Sequence, residues 1–106
     1  MQSTPVVVIA RLQAAQGKEA ALAVVLEELV QRTAHHDGML RYELHSDPNN
    51  PCAFLFTEQW RDKAALDAHL AHDDFVWFGA QLAGLLAGEP EVRLWQLRSV
   101  AGGDVA

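Results

Sequence analysis

Near the middle of the chain, Asp47-Pro48-Asn49-Asn50-Pro51 separates two stretches whose apolar residues recur with a period of two. Before it, Leu40, Tyr42 and Leu44 fall on one side, with Arg41, Glu43 and His45 on the other. After it, Phe54, Phe56, Glu58 and Trp60 share one side, with Leu55, Thr57 and Gln59 opposite. Successive side chains of a strand point to opposite faces, and Pro, Asn and Asp supply turn chemistry. The segment therefore reads as a β-hairpin with strands over Met39–His45 and Ala53–Trp60. An isolated hairpin is marginal in water, so its flanking segments must cover the apolar face.

Both flanks have the means to do so. Val6–Ala10 is β-branched and apolar at both parities, the pattern of a strand covered on both faces. From Gly17 to His36 the period changes: Leu22, Val25, Leu26, Leu29 and Val30 make the stripe of an amphipathic helix, which Asp37-Gly38 ends. Beyond the hairpin, Asp62 is placed to cap a short helix carrying Leu66, His69 and Leu70. A second helical stretch runs from about Asp74 to Leu86, Val92–Val100 reads as the last strand, and Ala101–Ala106 as a frayed tail. The order is β-α-β-β-α-β with the second helix in two pieces, the α+β, ferredoxin-like pattern of four antiparallel strands with helices on one face. Yet the first, third and fourth strands carry large apolar groups at both parities, and no helix is left over to cover the second face. A second copy packing sheet to sheet would bury it, so a homodimer is expected.

At 106 residues the chain is expected to form one domain, residues 1–106 with a core over about 6–98. Its lone cysteine, Cys52, has no internal partner, which fits a reducing compartment and a cytoplasmic protein. Fourteen acidic against eight basic residues leave a net charge of −6, a poor basis for binding nucleic acid. No signal peptide is visible at the start, and no apolar run reaches the ~20 residues of a membrane-spanning helix. No nucleic-acid or membrane partner is expected.

Phosphate-loop, nucleophile-elbow, dinucleotide and paired C-x-x-C signatures are all absent from the sequence. Cys52 lies in a turn without an activating neighbour in sequence. The pair His35-His36 reads as a solvated helix end, and His69-x-x-His72 lacks a third and fourth ligand, so no metal site is expected. His69 alone is the sharper candidate. It follows Leu66 by three residues, on or beside the sheet-facing side of its helix. A cleft lined by Trp60, Phe75, Phe78 and one imidazole would suit a planar aromatic ligand, and His69 could take a phenolic proton. Against this stands the plainer reading, in which the aromatics are core and His69 is a hydrogen-bonded core histidine. Glu58, an acid among apolar neighbours, either pairs with Arg41, His45 or Arg93 from another strand or serves the site.

Two stretches resemble the antibiotic biosynthesis monooxygenase domain family. VVVIARLQAAQGKEAALAVVL is similar to its first strand, loop and Gly-Lys-Glu helix start. GMLRYELHSDPNNPCAFLFTEQWRDKAALDAHLAHDDF carries the G-x-x-x-Y-E-L strand, the Asp-Pro-x-x-Pro hairpin, the E-x-W strand end and the A-L-x-x-H-L helix followed by Phe. The resemblance implies a dimeric α+β barrel. It further implies oxidation of a small quinol or related aromatic by molecular oxygen, with no cofactor. Carried over residue by residue, Trp60, His69 and Phe75 match recurring family positions near the cavity, and Glu58 matches the acid of the E-x-W motif. Together with the cleft reading, the catalytic candidates are His69 and Glu58, and the substrate-binding candidates Trp60, Phe75, Phe78, Phe56 and Leu66. Phe56, Leu66 and Ala80 are apolar where some polyketide-quinol oxidisers place polar groups. Haem-degrading relatives use a strand-one Asn and a later His that Val6–Ala10 and Phe75–Leu86 do not provide, and a pocket this apolar suits phosphate poorly. The scaffold serves many roles, so a non-catalytic dimer that binds a hydrophobic or stress-related metabolite, or an isomerase, stands as the alternative.

Overall fold

The computed structural model describes residues 4–102. Its elements are β1 (Val6–Gln13), α1 (Glu19–Thr33), β2 (Met39–Asp47), β3 (Asn50–Trp60), α2 (Lys63–Ala71), α3 (Asp73–Gln81) and β4 (Glu91–Gln96). All strand pairs are antiparallel and the sheet order is β2-β3-β1-β4, which is the ferredoxin-like arrangement. Register fixes the faces. Val8 lies between Glu58 and Leu94, Ala10 between Phe56 and Val92, and Leu12 opposite Phe54. Val8, Ala10, Leu12, Phe54, Phe56, Glu58 and Trp60 are buried on the helix-covered face. Leu22, Leu26 and Leu29 of α1 close over this layer. Each of these leucines gains about 1.5–3 kcal/mol by leaving water. Asp62 caps α2 by accepting from the Ala65 amide at 2.9 Å, and Gly38 takes a φ of 80° at the turn into β2.

Several boundaries depart from the sequence reading, each for a local reason. β1 continues past Ala10, with Leu12 buried while Arg11 and Gln13 are exposed, so only its first half is apolar on both faces. Leu40 does not share the Tyr42 face in regular alternation. A bulge between Met39 (opposite Trp60) and Arg41 (opposite Gln59) inserts it as the extra residue, and Met39 packs against the buried Trp60 cluster. α1 stops at Thr33, three residues before His36. α3 ends at Gln81 because the following segment turns back through Gly84 at a φ of 78° to meet the end of β1. There Ala15 N donates to Leu85 O at 2.8 Å and Ala87 N to Gln13 O at 2.8 Å.

β4 leaves the sheet after Gln96, short of the expected Val100. Leu97 and Val100–Gly102 then border a groove with Val7, Thr57 and Gln59. Register places Val7, Thr57 and Gln59 on the sheet face away from the helices. The rest of the expected frayed tail, residues 103–106, lies outside the described residues. Ile9, Leu55 and Trp95 also point to that second face, and Trp95 is 52% exposed. Val92 and Leu94 of β4 point to the helix-covered side yet stay half exposed, so that side is open along the β4 edge. No helix among the described residues is long and apolar enough to cross a membrane.

Candidate functional site

Between the helix-covered face and helices α2 and α3 lies a cavity of about 210 Å³. Phe56, Leu66, Phe75 and Phe78 line it, together with Glu58 and His69. The wall is almost wholly apolar, because β1 contributes Val8, Ala10 and Leu12 and α3 contributes its phenylalanines. Half-exposed Val92 and Leu94 form its β4 side, where a ligand larger than the cavity can extend towards solvent. Tyr42 also lines the cavity, a residue the sequence reading placed on the correct face without giving it a role.

Trp60 was expected among the walls, but it is wholly buried and stands outside the lining, with its ring centroid 4.5 Å from that of His69. Its indole Nε1–H donates to Glu58 Oε1 at 2.9 Å. Glu58 pairs with none of the cations considered for it. Arg41 lies opposite Gln59, His45 opposite Leu55 and Arg93 opposite Ile9, all on the other face of the sheet. Burial consequently pushes its carboxyl from 4.5 up to about 7, with the Trp60 hydrogen bond acting in the opposite direction. The Tyr42 phenol is pushed up by burial first and by the nearby Glu58 second. Thr33 acts slightly the other way on that phenol, although its own buried Oγ1 makes no hydrogen bond of good geometry.

His69 occupies the last turn of α2 and is 2% exposed. It borders the cavity and is hydrogen-bonded at the same time. Its Nδ1 lies 2.9 Å from Nδ1 of His36, whose Nε2 lies 2.9 Å from Asp74 Oδ2. Arg32 donates from its terminal nitrogen to the other oxygen of Asp74 at 3.1 Å and lies 3.9 Å from the Trp77 ring centroid. His72 caps α3 by accepting from the Asp74 amide at 3.0 Å, and its ring stacks on His36 at 4.0 Å. Burial, followed by the neighbouring His36 and His72, holds the His69 imidazole down from 6.5 to about 4, while Asp74 opposes them. The hydrogen bonds from His36 first and Arg32 next keep the Asp74 carboxyl below its ordinary range.

The reading of His35-His36 as a solvated end is correct for His35 alone, since the His36 side chain is only 5% exposed. A signal was present: Leu29, Thr33 and His36 continue the buried stripe of α1 at intervals of four and three. Nothing in sequence pointed to Asp74, which reaches His36 only because α3 turns back beside α1. His36, His72 and Asp74 bring potential ligand atoms within 4.8 Å of one another. With the two rings stacked and Arg32 on Asp74, they are arranged as a hydrogen-bonded chain.

Residues 5–81 match the family model described as antibiotic biosynthesis monooxygenase. The chain belongs to this family. Over 84 residues it is 31% identical to Rv0793 of Mycobacterium tuberculosis, provisionally named a monooxygenase, covering 79% of this chain and 82% of that protein. The solved structure of Rv0793 superposes with a TM-score of 0.86, at 26% identity, over 93% of this chain and all of that one. A crystal structure of PA3566 from Pseudomonas aeruginosa gives a TM-score of 0.81 at 37% identity, covering 95% of this chain and 99% of that one. An uncharacterised Synechocystis protein is 26% identical over 93 residues, 88% of this chain, and the chain spans 63% of its length.

Proposed function

We propose that this family member is a cofactor-independent monooxygenase that oxidises a small quinol or related aromatic with molecular oxygen. The observation that carries the reading is the apolar cavity of about 210 Å³, bordered by one imidazole and one carboxyl. A void of about 150 Å³ accepts benzene, so this one suits a one- or two-ring substrate. His69 takes the substrate hydroxyl proton, and Phe56, Phe75, Phe78 and Leu66 hold the ring. Glu58, protonated in part near neutrality, orients the substrate by hydrogen bonding, and Trp60 holds Glu58 in place. The substrate supplies all four electrons that dioxygen accepts. One oxygen atom stays in the product and the other leaves as water, so no external reductant is required.

The absence of a cofactor in this reading comes from the family resemblance. The same resemblance, with Ile9 and Leu55 partly exposed and Trp95 half exposed on the second face, supports a homodimer. The lone Cys52 supports a cytoplasmic location. Oxygen uptake with a reduced naphthoquinol in chelator-treated buffer, corrected for autoxidation, tests the activity. Enzyme-dependent uptake that His69→Ala abolishes is expected, and uptake at the background rate would overturn the reading.

One observation favours an isomerase as the second reading. Glu58, whose carboxyl is pushed up to about 7, and His69, held down to about 4, line the same cavity and supply a proton donor and an acceptor there. Such a reaction proceeds equally well without oxygen.

A further inference from the structure

We infer that His36 and Asp74 form, with His69, a proton relay that fixes the tautomer of His69 and draws the proton collected at the cavity towards solvent. The inference rests on His69 being the base of the proposed reaction. It assigns roles to two residues that lie outside the cavity wall.

With both rings neutral, the hydrogen bonds leave one consistent assignment. Asp74 is held as a carboxylate, which only accepts, so His36 Nε2 carries the hydrogen of that 2.9 Å bond. Neutral His36 then presents a bare Nδ1. The 2.9 Å contact between the two Nδ1 atoms needs one hydrogen, which comes from His69. His69 is thereby the Nδ1–H tautomer, and its Nε2, which no hydrogen bond among the described residues engages, is the free base at the cavity. A proton taken at Nε2 allows the Nδ1 proton to pass to His36. One N–H forms on each ring, one is lost from His69, and the positive charge comes to rest on His36 beside the carboxylate.

A lone imidazole at this cavity is a weak base, since desolvation disfavours its charged form. Moving the charge to His36 relieves this, because Asp74 is 2.9 Å away and remains partly exposed to water. Other titratable groups face His69 as well: Tyr42 from β2 and Glu58 from β3 border the same cavity. His36 follows α1, and His72 and Asp74 lie at the corner of α2 and α3. Arg32 anchors the far end of the relay and holds Asp74 in place against His36. The three side chains come from the turn that follows α1, the last turn of α2 and the first turn of α3, so the relay forms only when all three helices are docked.

Histidine 15N NMR on the full chain tests this without substrate. Wild-type His69 is expected as the Nδ1–H tautomer from about pH 6 to about pH 8, and His36→Leu should move its proton to Nε2. Asp74→Asn keeps an acceptor for His36 but removes the charge. That variant should retain the tautomer, and the pH at which the histidine pair takes up a proton should fall by about one unit. A wild-type His69 protonated on Nε2, or an unmoved midpoint in Asp74→Asn, overturns the relay. Should His36→Leu fail to fold, Asp74→Asn decides alone. With a turned-over substrate, His36→Leu should lower kcat by about 10²-fold with little change in KM, and an unchanged kcat overturns the relay. The expected tautomers without any oxygen uptake would uphold the relay and sink the monooxygenase reading. Oxygen uptake by a protein whose His69 carries Nε2–H would do the reverse.

Discussion

The Trp60 indole donates to Glu58 Oε1 at 2.9 Å, between side chains two residues apart on the same face of β3. No cation joins them, so this hydrogen bond is the main compensation for an acid that is 7% exposed. A bond to the ionised form stabilises that form. Trp60→Phe should therefore raise the Glu58 midpoint above about 7, and should cost more stability at pH 8 than at pH 5. The lost donor alone is worth about 1–3 kcal/mol, to which the missing indole volume adds. Carboxyl 13C titration with urea unfolding at both pH values checks this, and an equal loss at the two would remove the bond from the account.

Glu58 and His69 are displaced in opposite directions, and their effects on stability oppose each other. The folded chain keeps a proton on Glu58 from 4.5 up to about 7, where the unfolded chain would release it, so stability falls as pH rises through that window. The unfolded chain takes up a proton on His69 between 6.5 and about 4, where the folded chain does not, so stability falls as pH drops through that window. In the overlap the two slopes largely cancel. Glu58→Gln should unmask the histidine, with stability rising by on the order of 2 kcal/mol from about pH 4 to about pH 6.5. His69→Gln should show the reverse, a decline as pH rises towards 7. Flat profiles in both variants would contradict the two displacements.

Gly38 and Gly17 separate backbone conformation from packing. Both adopt positive φ, 80° and 81°, and an added side chain at either is strained by about 1–2 kcal/mol. At Gly17 a Cβ meets nothing within 4 Å, whereas at Gly38 it would lie 2.5 Å from the Ala65 Cβ. Gly17→Ala should thus cost only the conformational term. Gly38→Ala should cost visibly more, because it forces α2 away from the turn into β2. Thermal unfolding of the pair measures the difference directly.

What the sequence disclosed and what it concealed divide along physical lines. The Leu22–Leu26–Leu29 stripe, the Asp62 cap and the alternation of Phe54, Phe56, Glu58 and Trp60 were legible because each depends on local periodicity. The bulge at Leu40 was not, since an extra residue shows itself only against the register of β3. Trp60 looked like a cavity wall because it shares a face with Phe56. Being at the end of β3 beneath α2, it is sealed by Leu66 and His69 instead. His36 and Asp74 meet across 38 residues, and that meeting depends on how α1 and α3 pack. The cavity's chemistry was thus half visible in sequence: His69 and Glu58 could be singled out, but the groups that set their protonation could not.

The face of the sheet away from the helices yields the last prediction. Ile9, Leu55 and Trp95 lie on it, and Trp95, with the Arg93 guanidinium 5.3 Å from its ring, is half exposed in the single chain. Substituting a residue that solvent already reaches costs a monomer within about 0.5 kcal/mol. In a sheet-to-sheet dimer, which would bury about 800 Å² on each partner, the same position would be covered, and a carboxylate there would be desolvated without a partner. Trp95→Glu should therefore convert a dimer into a folded monomer, with sedimentation velocity reporting the mass and circular dichroism an unchanged fold. A wild-type chain that sediments as a monomer at micromolar concentration, or a Trp95→Glu variant that stays dimeric, would exclude this face as the interface.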